Sequence, residues 1–183
     1  MHSREGERLL ELARDSIRTG LREGRPLAPD PAAFPHELRA RRASFVTLRL
    51  EGELRGCVGR LEPVRPLVVD VAEHAFGAAF RDPRFPPVAP HELTGLDLHI
   101  SVLNPPEPLE VASEEELVAR LRPGLDGLVL EEGPHRGTFL PAVWQNVRDA
   151  AEFVRELKRK AGLAPDHWSP ALRVRRYTVE SIP

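Results

Sequence analysis

The segment LRGCVGRLEP, residues 54–63, contains the only cysteine of the chain, Cys57. Gly56 and Gly59 flank it, so a bound molecule could approach the backbone of this segment closely. Arg55 lies two positions before Cys57, on the same face of an extended strand, where its charge would favour a thiolate. Two interpretations stay open: Cys57 is a nucleophile, or it is a small apolar side chain whose glycines serve tight packing.

A cysteine nucleophile needs a base, and histidine is the usual one. The candidates are His74, His99 and His135. His99 lies on the polar side of the alternating segment LDLHISVL, and it is the histidine that we name with Cys57 as catalytic. Sequence spacing brings none of the three near Cys57, so the alternative of a solvated or hydrogen-bonded histidine stays open.

Two further segments carry binding candidates, RDPRFPP with Asp82 and Arg84, and HRGTFLP with Arg136. Arginine offers a forked set of donors that matches a carboxylate or a phosphate. We therefore predict a binding groove around Arg55, Asp82, Arg84 and Arg136. In the alternative interpretation, Asp82 fixes a turn by accepting from downstream amides, and the arginines only hold segments together.

The sequence lacks the motifs that are typical of metal-binding and nucleotide-binding sites. No two histidines have the H-x-x-H or H-x-x-x-H spacing, and one cysteine cannot build a cysteine-based zinc site. The chain has neither a P-loop nor a G-x-G-x-x-G motif. We predict no metal and no cofactor. A net charge of −2 and a single tyrosine also argue against binding to nucleic acid.

The composition is that of a soluble globular protein. The 183 residues suit one domain, and 41% of them are hydrophobic while 30% are charged. No run of about 18 apolar residues is present, so we expect no membrane span. The charged N-terminal segment lacks an apolar signal core, and a lone cysteine excludes an internal disulfide. These features favour a cytoplasmic protein.

Hydrophobic periodicity predicts alternating helices and hairpins. The predicted helices cover residues 4–21, 66–82, 113–122 and 150–160, and the predicted strands cover 44–50, 54–61, 96–103, 127–133, 135–141 and 172–180. Capping boxes at Ser113 and Asp149 start two of the helices. The short turns between strands indicate an α+β fold with a largely antiparallel sheet and flanking helices. Proline-rich segments at 23–35 and 82–90 are the expected subdomain edges.

Five motifs in this order resemble the AMMECR-domain family: LRGCVG, AAFRDPRFPP, LDLHISVLNPPEPL, HRGTFLPAVW and FVRELKRKAGL. The match is closest to its bacterial branch, called AmmeMemoRadiSam system protein A, and runs from about residue 8 to 181. Leu54–Gly59 matches the family's LRGC[IV]G hallmark, and Asp82–Phe85 matches its Asp-Pro-Arg-Phe turn. Ala142 departs from the family pattern, which has glutamine there.

The resemblance implies a larger subdomain built from both chain ends, a smaller central one, and a groove bordered by the hallmark segment. It implies association with a Memo-like protein and a radical SAM protein, but no established activity. Two functions are therefore expected as alternatives. The chain is an enzyme, or enzyme component, that uses Cys57, or it is a non-catalytic module that presents the LRGCVG groove to a protein or small ligand.

Overall fold

The computed structural model describes residues 3–183 of the chain. It divides into two compact units, the first reaching to Leu103 and taking in Glu180–Pro183, and the second comprising Asn104–Val179. Both proline-rich segments, 23–35 and 82–90, lie inside the first unit. The division therefore does not follow the prolines that suggested subdomain edges, because those prolines shape loops within one unit.

The fold is α+β, with two four-stranded sheets and helices packed on them. The helices are α1 (Ser3–Glu23), α2 (His36–Arg39), α3 (Leu67–Phe80), α4 (Glu114–Arg120) and α5 (Ala150–Lys160). The strands are β1 (Ser44–Leu50), β2 (Glu53–Gly59), β3 (Leu96–Leu103), β4 (Glu107–Pro108), β5 (Gly127–Glu132), β6 (His135–Phe139), β7 (Arg173–Tyr177) and β8 (Val179–Ile182). Short 3₁₀ helices cover Pro31–Ala33, Pro90–Gly95 and Pro141–Asn146.

The first unit is built on a sheet with the strand order β2-β1-β3-β8. β1 and β2 form the predicted antiparallel hairpin. Its turn residues Glu51 and Gly52 have φ values of 52° and 83°, which is the left-handed pair that a tight hairpin turn requires. β3 pairs antiparallel with the other side of β1.

One face of this sheet is apolar and the other is polar, because side chains alternate along each strand. Val46, Leu48 and Ile100 are fully buried in one core cluster with residues of α1 and α3. The opposite side, called the outer face below, carries Thr47 of β1 and His99 of β3. The alternation therefore decides which side chains of the hairpin are available for chemistry.

The second unit packs α4 and α5 against a sheet with the order β4-β7-β5-β6. Its core includes the parallel stack of Trp144 on Phe153, with ring centroids 4.0 Å apart. Asp149 caps α5 as predicted, since its Oδ1 accepts from the amide of Glu152 at 2.8 Å. The Glu152 carboxylate accepts from the amide of Arg148, one residue before the N-cap, so the box is displaced by one position.

The C-terminal segment predicted as one strand is two strands in two different sheets. β7 belongs to the sheet of the second unit and β8 to the sheet of the first, with Thr178 between them. The buried residues Val174, Tyr177 and Ile182 are three and five positions apart, so strict alternation is interrupted along this segment. Among the helices of residues 3–183, none is both long and apolar enough to cross a membrane.

Candidate functional site

Cys57 lies on the edge strand β2 of the first unit and is half-buried. Thr47 stands directly opposite on β1, and its Oγ1 lies 3.3 Å from the Cys57 Sγ. The Glu51–Gly52 turn pairs Leu50 with Glu53, and a bulge at Arg55 then shifts the register by one residue, which brings Cys57 opposite Thr47. The thiol is therefore on the outer face of the sheet and is hydrogen-bonded to a hydroxyl, outside the apolar core.

The space in which a side chain would stand at Gly56 and at Gly59 is occupied by other atoms of the protein. A Cβ at Gly56 would lie 2.0 Å from the backbone oxygen of Ala78, so α3 packs directly on β2 at this point. A Cβ at Gly59 would lie 2.3 Å from the ring of Phe45, which is its cross-strand partner. The missing side chains of both glycines thus serve close packing, which is the alternative that the sequence left open.

Asp82 connects the loop after α3 to the backbone of Cys57. Its side chain is only 3% exposed, and Oδ2 accepts from the Cys57 amide at 2.9 Å and from Arg84 Nη2 at 2.7 Å. Oδ1 accepts from the Arg84 amide at 3.1 Å and from Arg84 Nε at 3.0 Å. These four bonds use the acceptor positions of the carboxylate, and the predicted turn-fixing role of Asp82 is confirmed.

The charge of Asp82 is held in place by the same contacts. Hydrogen bonding from Arg84 is the main cause that keeps the pKa of Asp82 well below its usual range, although burial opposes it. The Cys57 amide lowers the pKa further. Asp82 is therefore an ionised anchor and is unsuited to accept the thiol proton.

Arg84 is the exposed member of this cluster, with 55% of its side chain accessible. Hydrogen bonding to Asp82 raises its pKa above the ordinary value, and attraction to Cys57 contributes in the same direction. Because the Cys57 amide and Arg84 Nη2 bind the same oxygen, the guanidinium lies within two hydrogen-bond lengths of the Cys57 backbone. An Asp82–Arg84 ion pair therefore lies beside the thiol-bearing residue, with its carboxylate bound to the Cys57 amide and its guanidinium on the exposed side.

Arg55 has a different partner from the one that its position suggested. Its Nε and Nη2 bind the two oxygens of Glu92 at 2.7 and 3.0 Å, and the pair is only 12% and 13% exposed. Its Nη1 and Nη2 also donate to the carbonyls of Pro86 and Pro87. Arg55 thus connects the loop that contains Pro86 and Pro87 to β2, and the carboxylate of Glu92 balances the charge of Arg55.

His99 lies in the same cross-strand row as Cys57, but β1 stands between them. Thr47 is the register partner of both residues. Adjacent strands are about 4.8 Å apart, so the backbones of Cys57 and His99 are separated by roughly 10 Å. His99 Nε2 instead lies 2.7 Å from the Oγ of Ser181 on β8. The structure therefore places the imidazole on the right face without forming a thiol–imidazole pair.

Burial, helped by repulsion from Arg49, lowers the pKa of His99 below its ordinary value of 6.5. The unfolded chain therefore binds a proton at this position before the folded chain does, and stability is lost as the pH falls through about 6.5. We expect the unfolding free energy of the wild type to decrease relative to His99→Gln between pH 7 and pH 5, measured by urea denaturation. The exposed His36, changed to glutamine, is the control, and a His99→Gln difference that does not vary with pH would contradict the assignment.

The remaining candidates have other partners. Arg136 lies on β6 in the second unit, with its Nε 3.0 Å from Oε1 of its cross-strand neighbour Glu131. His74 is buried on α3, where its Nδ1 lies 3.2 Å from Asp70 Oδ2 and from Ser44 Oγ. These three residue types form a hydrolytic triad in other proteins, but here they are sealed in the core and tie α3 to β1.

The residues that sequence reasoning missed are Thr47, Glu92 and Ser181. For Thr47 the hairpin turn gives a misleading signal, because an unbroken register would place Val46 opposite Cys57 and only the bulge at Arg55 brings Thr47 there. Glu92 and Ser181 had none, since they reach Arg55 and His99 across 37 and 82 positions of sequence. Within residues 3–183, no three histidine, cysteine, aspartate or glutamate side chains are grouped as metal ligands would be.

Comparison with known proteins finds relatives that are similar to this chain in sequence and in fold. A protein of Methanothermobacter thermautotrophicus is 45% identical over 182 residues, which cover 96% of this chain and 92% of the relative. A protein of Thermococcus gammatolerans is 42% identical, with 96% and 88% covered. The fold is similar to the crystal structure of the uncharacterized protein PH0010 from Pyrococcus horikoshii, with a TM-score of 0.88 and 38% identity over 96% of this chain and 89% of that one.

The family model described as AMMECR1 matches residues 10–182, nearly the whole described chain. The match spans the Cys57 hairpin, the Asp82–Arg84 loop and both sheets. The relatives above are covered over most of their own length as well. On this evidence, the chain belongs to the AMMECR1 family.

Proposed function

We propose that the first unit carries a reaction site in which the Cys57 thiol acts as a nucleophile, or as an acyl or alkyl acceptor. The observation that supports this most is the shared oxygen of Asp82, which binds the Cys57 amide and the Arg84 guanidinium together. It holds the ion-paired Arg84 guanidinium near the half-buried Cys57, and neighbouring cations stabilise thiolates. A reducing cytoplasm, where a free thiol persists, is the location that fits this chemistry.

The chemical step that we propose needs no redox partner. The thiol loses its proton to solvent, and the thiolate Sγ attacks an electrophilic carbon of the substrate. A carbon–sulfur bond forms, and the leaving group departs with the bonding electron pair. The positive charge of Arg84 stabilises the thiolate before the attack, while the Thr47 hydroxyl holds the sulfur in position.

Alkylation by iodoacetamide tests this proposal, because Cys57 is the only thiol. At pH 7 we expect native protein to react faster than the same chain unfolded in urea. Arg84→Met should slow the native reaction about fivefold, the equivalent of about 1 kcal/mol for a half-exposed charge pair. The rate is read by mass spectrometry of the intact protein, and Cys57→Ser is the blank.

Arg49 provides a matched control for the loss of charge. It projects from the outer face of β1 and its Nη1 binds the carbonyl of Gly52. Arg49→Met should leave the rate of alkylation unchanged. Native labelling slower than that of the unfolded chain, with no effect of Arg84→Met, would show that Cys57 is a protected packing residue.

A non-catalytic binding module is the second candidate. It is favoured by the position of His99, which lies two strands from Cys57 and binds Ser181. In this function the outer face presents its polar row to another protein. The narrower family placement, AmmeMemoRadiSam system protein A of the bacterial branch, would make a Memo-like protein and a radical SAM protein the partners, whereas the relatives described above are archaeal.

Partner binding by Cys57→Ser, taken together with the reactivity of the wild-type thiol, distinguishes the two functions. An isosteric serine preserves the surface, so a binding module should keep its affinity for a Memo-like protein in isothermal titration. Labelling is lost in Cys57→Ser under either function, because Cys57 is the only thiol, so a reaction site is recognised from the labelling rate of the wild type. Retained binding together with an unreactive wild-type thiol would favour the module over the enzyme.

A further inference from the structure

Arg84 uses only one edge of its guanidinium to bind Asp82. The Nε and Nη2 donors form the side-on pair with the carboxylate, at 3.0 and 2.7 Å. The other edge, formed by Nη1 and the second hydrogen of Nη2, has no acceptor among residues 3–183. Two parallel N–H groups on one edge match the two oxygens of a carboxylate.

We propose that Arg84 recognises a carboxylate on the substrate of Cys57, so that the electrophile of this site is a short carboxylic acid. This inference rests on the proposed function, because it names the substrate class of the same thiol. The free edge of the guanidinium binds the carboxylate end-on. The electrophilic carbon of such a substrate is next to the carboxylate or a few atoms away from it.

The negative charge of Asp82 does not prevent Arg84 from binding a substrate carboxylate. Its oxygens already accept four hydrogen bonds, so no free acceptor of Asp82 competes for the outer edge of the guanidinium. Arg84 is instead held in one orientation, and less side-chain entropy is lost when a ligand binds to a pre-oriented arginine. Because the buried Asp82 carboxylate fixes the Nε/Nη2 edge of Arg84, the Nη1/Nη2 edge is pre-oriented to bind an anion.

Of the two arginines Arg55 and Arg84, only Arg84 is largely exposed. Arg55 is balanced by Glu92 in a pair that is only 12% and 13% exposed. The Arg84 guanidinium carbon stands 5.4 Å from the centroid of the Phe85 ring, which shields one of its faces. With one face covered and one edge bound, the exposed outer edge is the direction from which an anion can approach.

Paired alkylating agents test the inference. Iodoacetate and iodoacetamide deliver the same carbon to sulfur, but only iodoacetate carries a carboxylate. We expect the ratio of their second-order rate constants, iodoacetate over iodoacetamide, to exceed the ratio for glutathione about tenfold, the effect of one charge-assisted bidentate contact. The iodoacetate rate should saturate with concentration, and added acetate should inhibit it competitively.

Variants assign the effect to the fork of Arg84. In Arg84→Met the ratio should fall to that of glutathione, and in Arg84→Lys, which keeps the charge without the fork, it should fall part of the way. Arg49→Met should leave it unchanged. Thermal unfolding of each variant shows whether it is folded, and the wild-type ratio remains decisive if Arg84→Met does not fold.

The outcomes separate this inference from the function on which it rests. Rapid, Arg84-dependent labelling by iodoacetamide with a glutathione-like ratio would overturn the carboxylate proposal and leave the reactive thiol standing. A thiol that reacts with neither reagent would overturn both. An equal fall of the ratio in Arg49→Met and Arg84→Met would assign the preference to the general charge of the face, and so overturn recognition by Arg84.

Discussion

Gly56→Ala is expected to lower the free energy of unfolding of the first unit by about 3 kcal/mol, the upper part of the usual range for overpacking. A Cβ at this position would lie 2.0 Å from the carbonyl oxygen of Ala78, well inside van der Waals contact. The obstacle is the backbone of α3, which no rotamer change can move. α3 must shift away from β2, and its contacts with the core would be lost along its length.

Urea denaturation of the wild type and the variant measures this effect. Gly95→Ala is the control, because its added Cβ would meet only the Cδ1 of Leu50 at 3.2 Å, the end of a flexible side chain. It should cost less than about 0.5 kcal/mol, as surface substitutions do. Equal stabilities of the two variants would show that α3 and β2 are not in the close contact described.

Asp82→Asn is expected to lower the free energy of unfolding by about 2–3 kcal/mol, comparable with the loss of hydrogen bonds to a charged group. Asparagine has the same shape, but its Nδ2 would place a donor against donors that now bind the carboxylate. The amide of Cys57 or the fork of Arg84 would then be left without its acceptor. Asp97→Asn, at an exposed position of β3, should cost little.

The pH dependence of this cost follows from the pKa of Asp82, which lies well below its ordinary value of 3.8 because Arg84 binds the carboxylate. For an acid whose pKa is lowered by folding, the stabilisation is present above the unfolded value and is lost as the pH falls through the folded value. The difference between wild type and Asp82→Asn should therefore be full at neutral pH and shrink below about pH 4. A constant difference down to pH 2 would contradict the ion pair.

Asp82→Asn also separates a positioning role from a purely structural one. A variant that is still folded at pH 7 should lose the preference of Cys57 for iodoacetate, because Arg84 is no longer held in one orientation. Asp97→Asn should keep that preference. An unchanged preference in a folded Asp82→Asn protein would mean that Asp82 supports the loop without orienting Arg84.

The sequence by itself determined the local elements. The hairpin around Cys57 follows from alternation and from the turn residues Glu51 and Gly52, and helix α5 follows from its Asp149 cap. These signals lie within a few residues of one another, so short-range sterics and hydrogen bonding are sufficient to specify them. The ordered motifs also placed the chain in its family, which the comparisons confirm.

Only the tertiary structure decided which side chains meet. Asp82 reaches Cys57 across 25 positions of sequence, and Arg55 reaches Glu92 across 37. The sequence suggested Arg55 as the cation beside the thiol, yet the loop of residues 82–92 folds over β2, engages Arg55 and leaves Arg84 exposed. Such pairings depend on where a proline-rich loop packs, and contacts distant in sequence set that position, whereas periodicity reports only on neighbours.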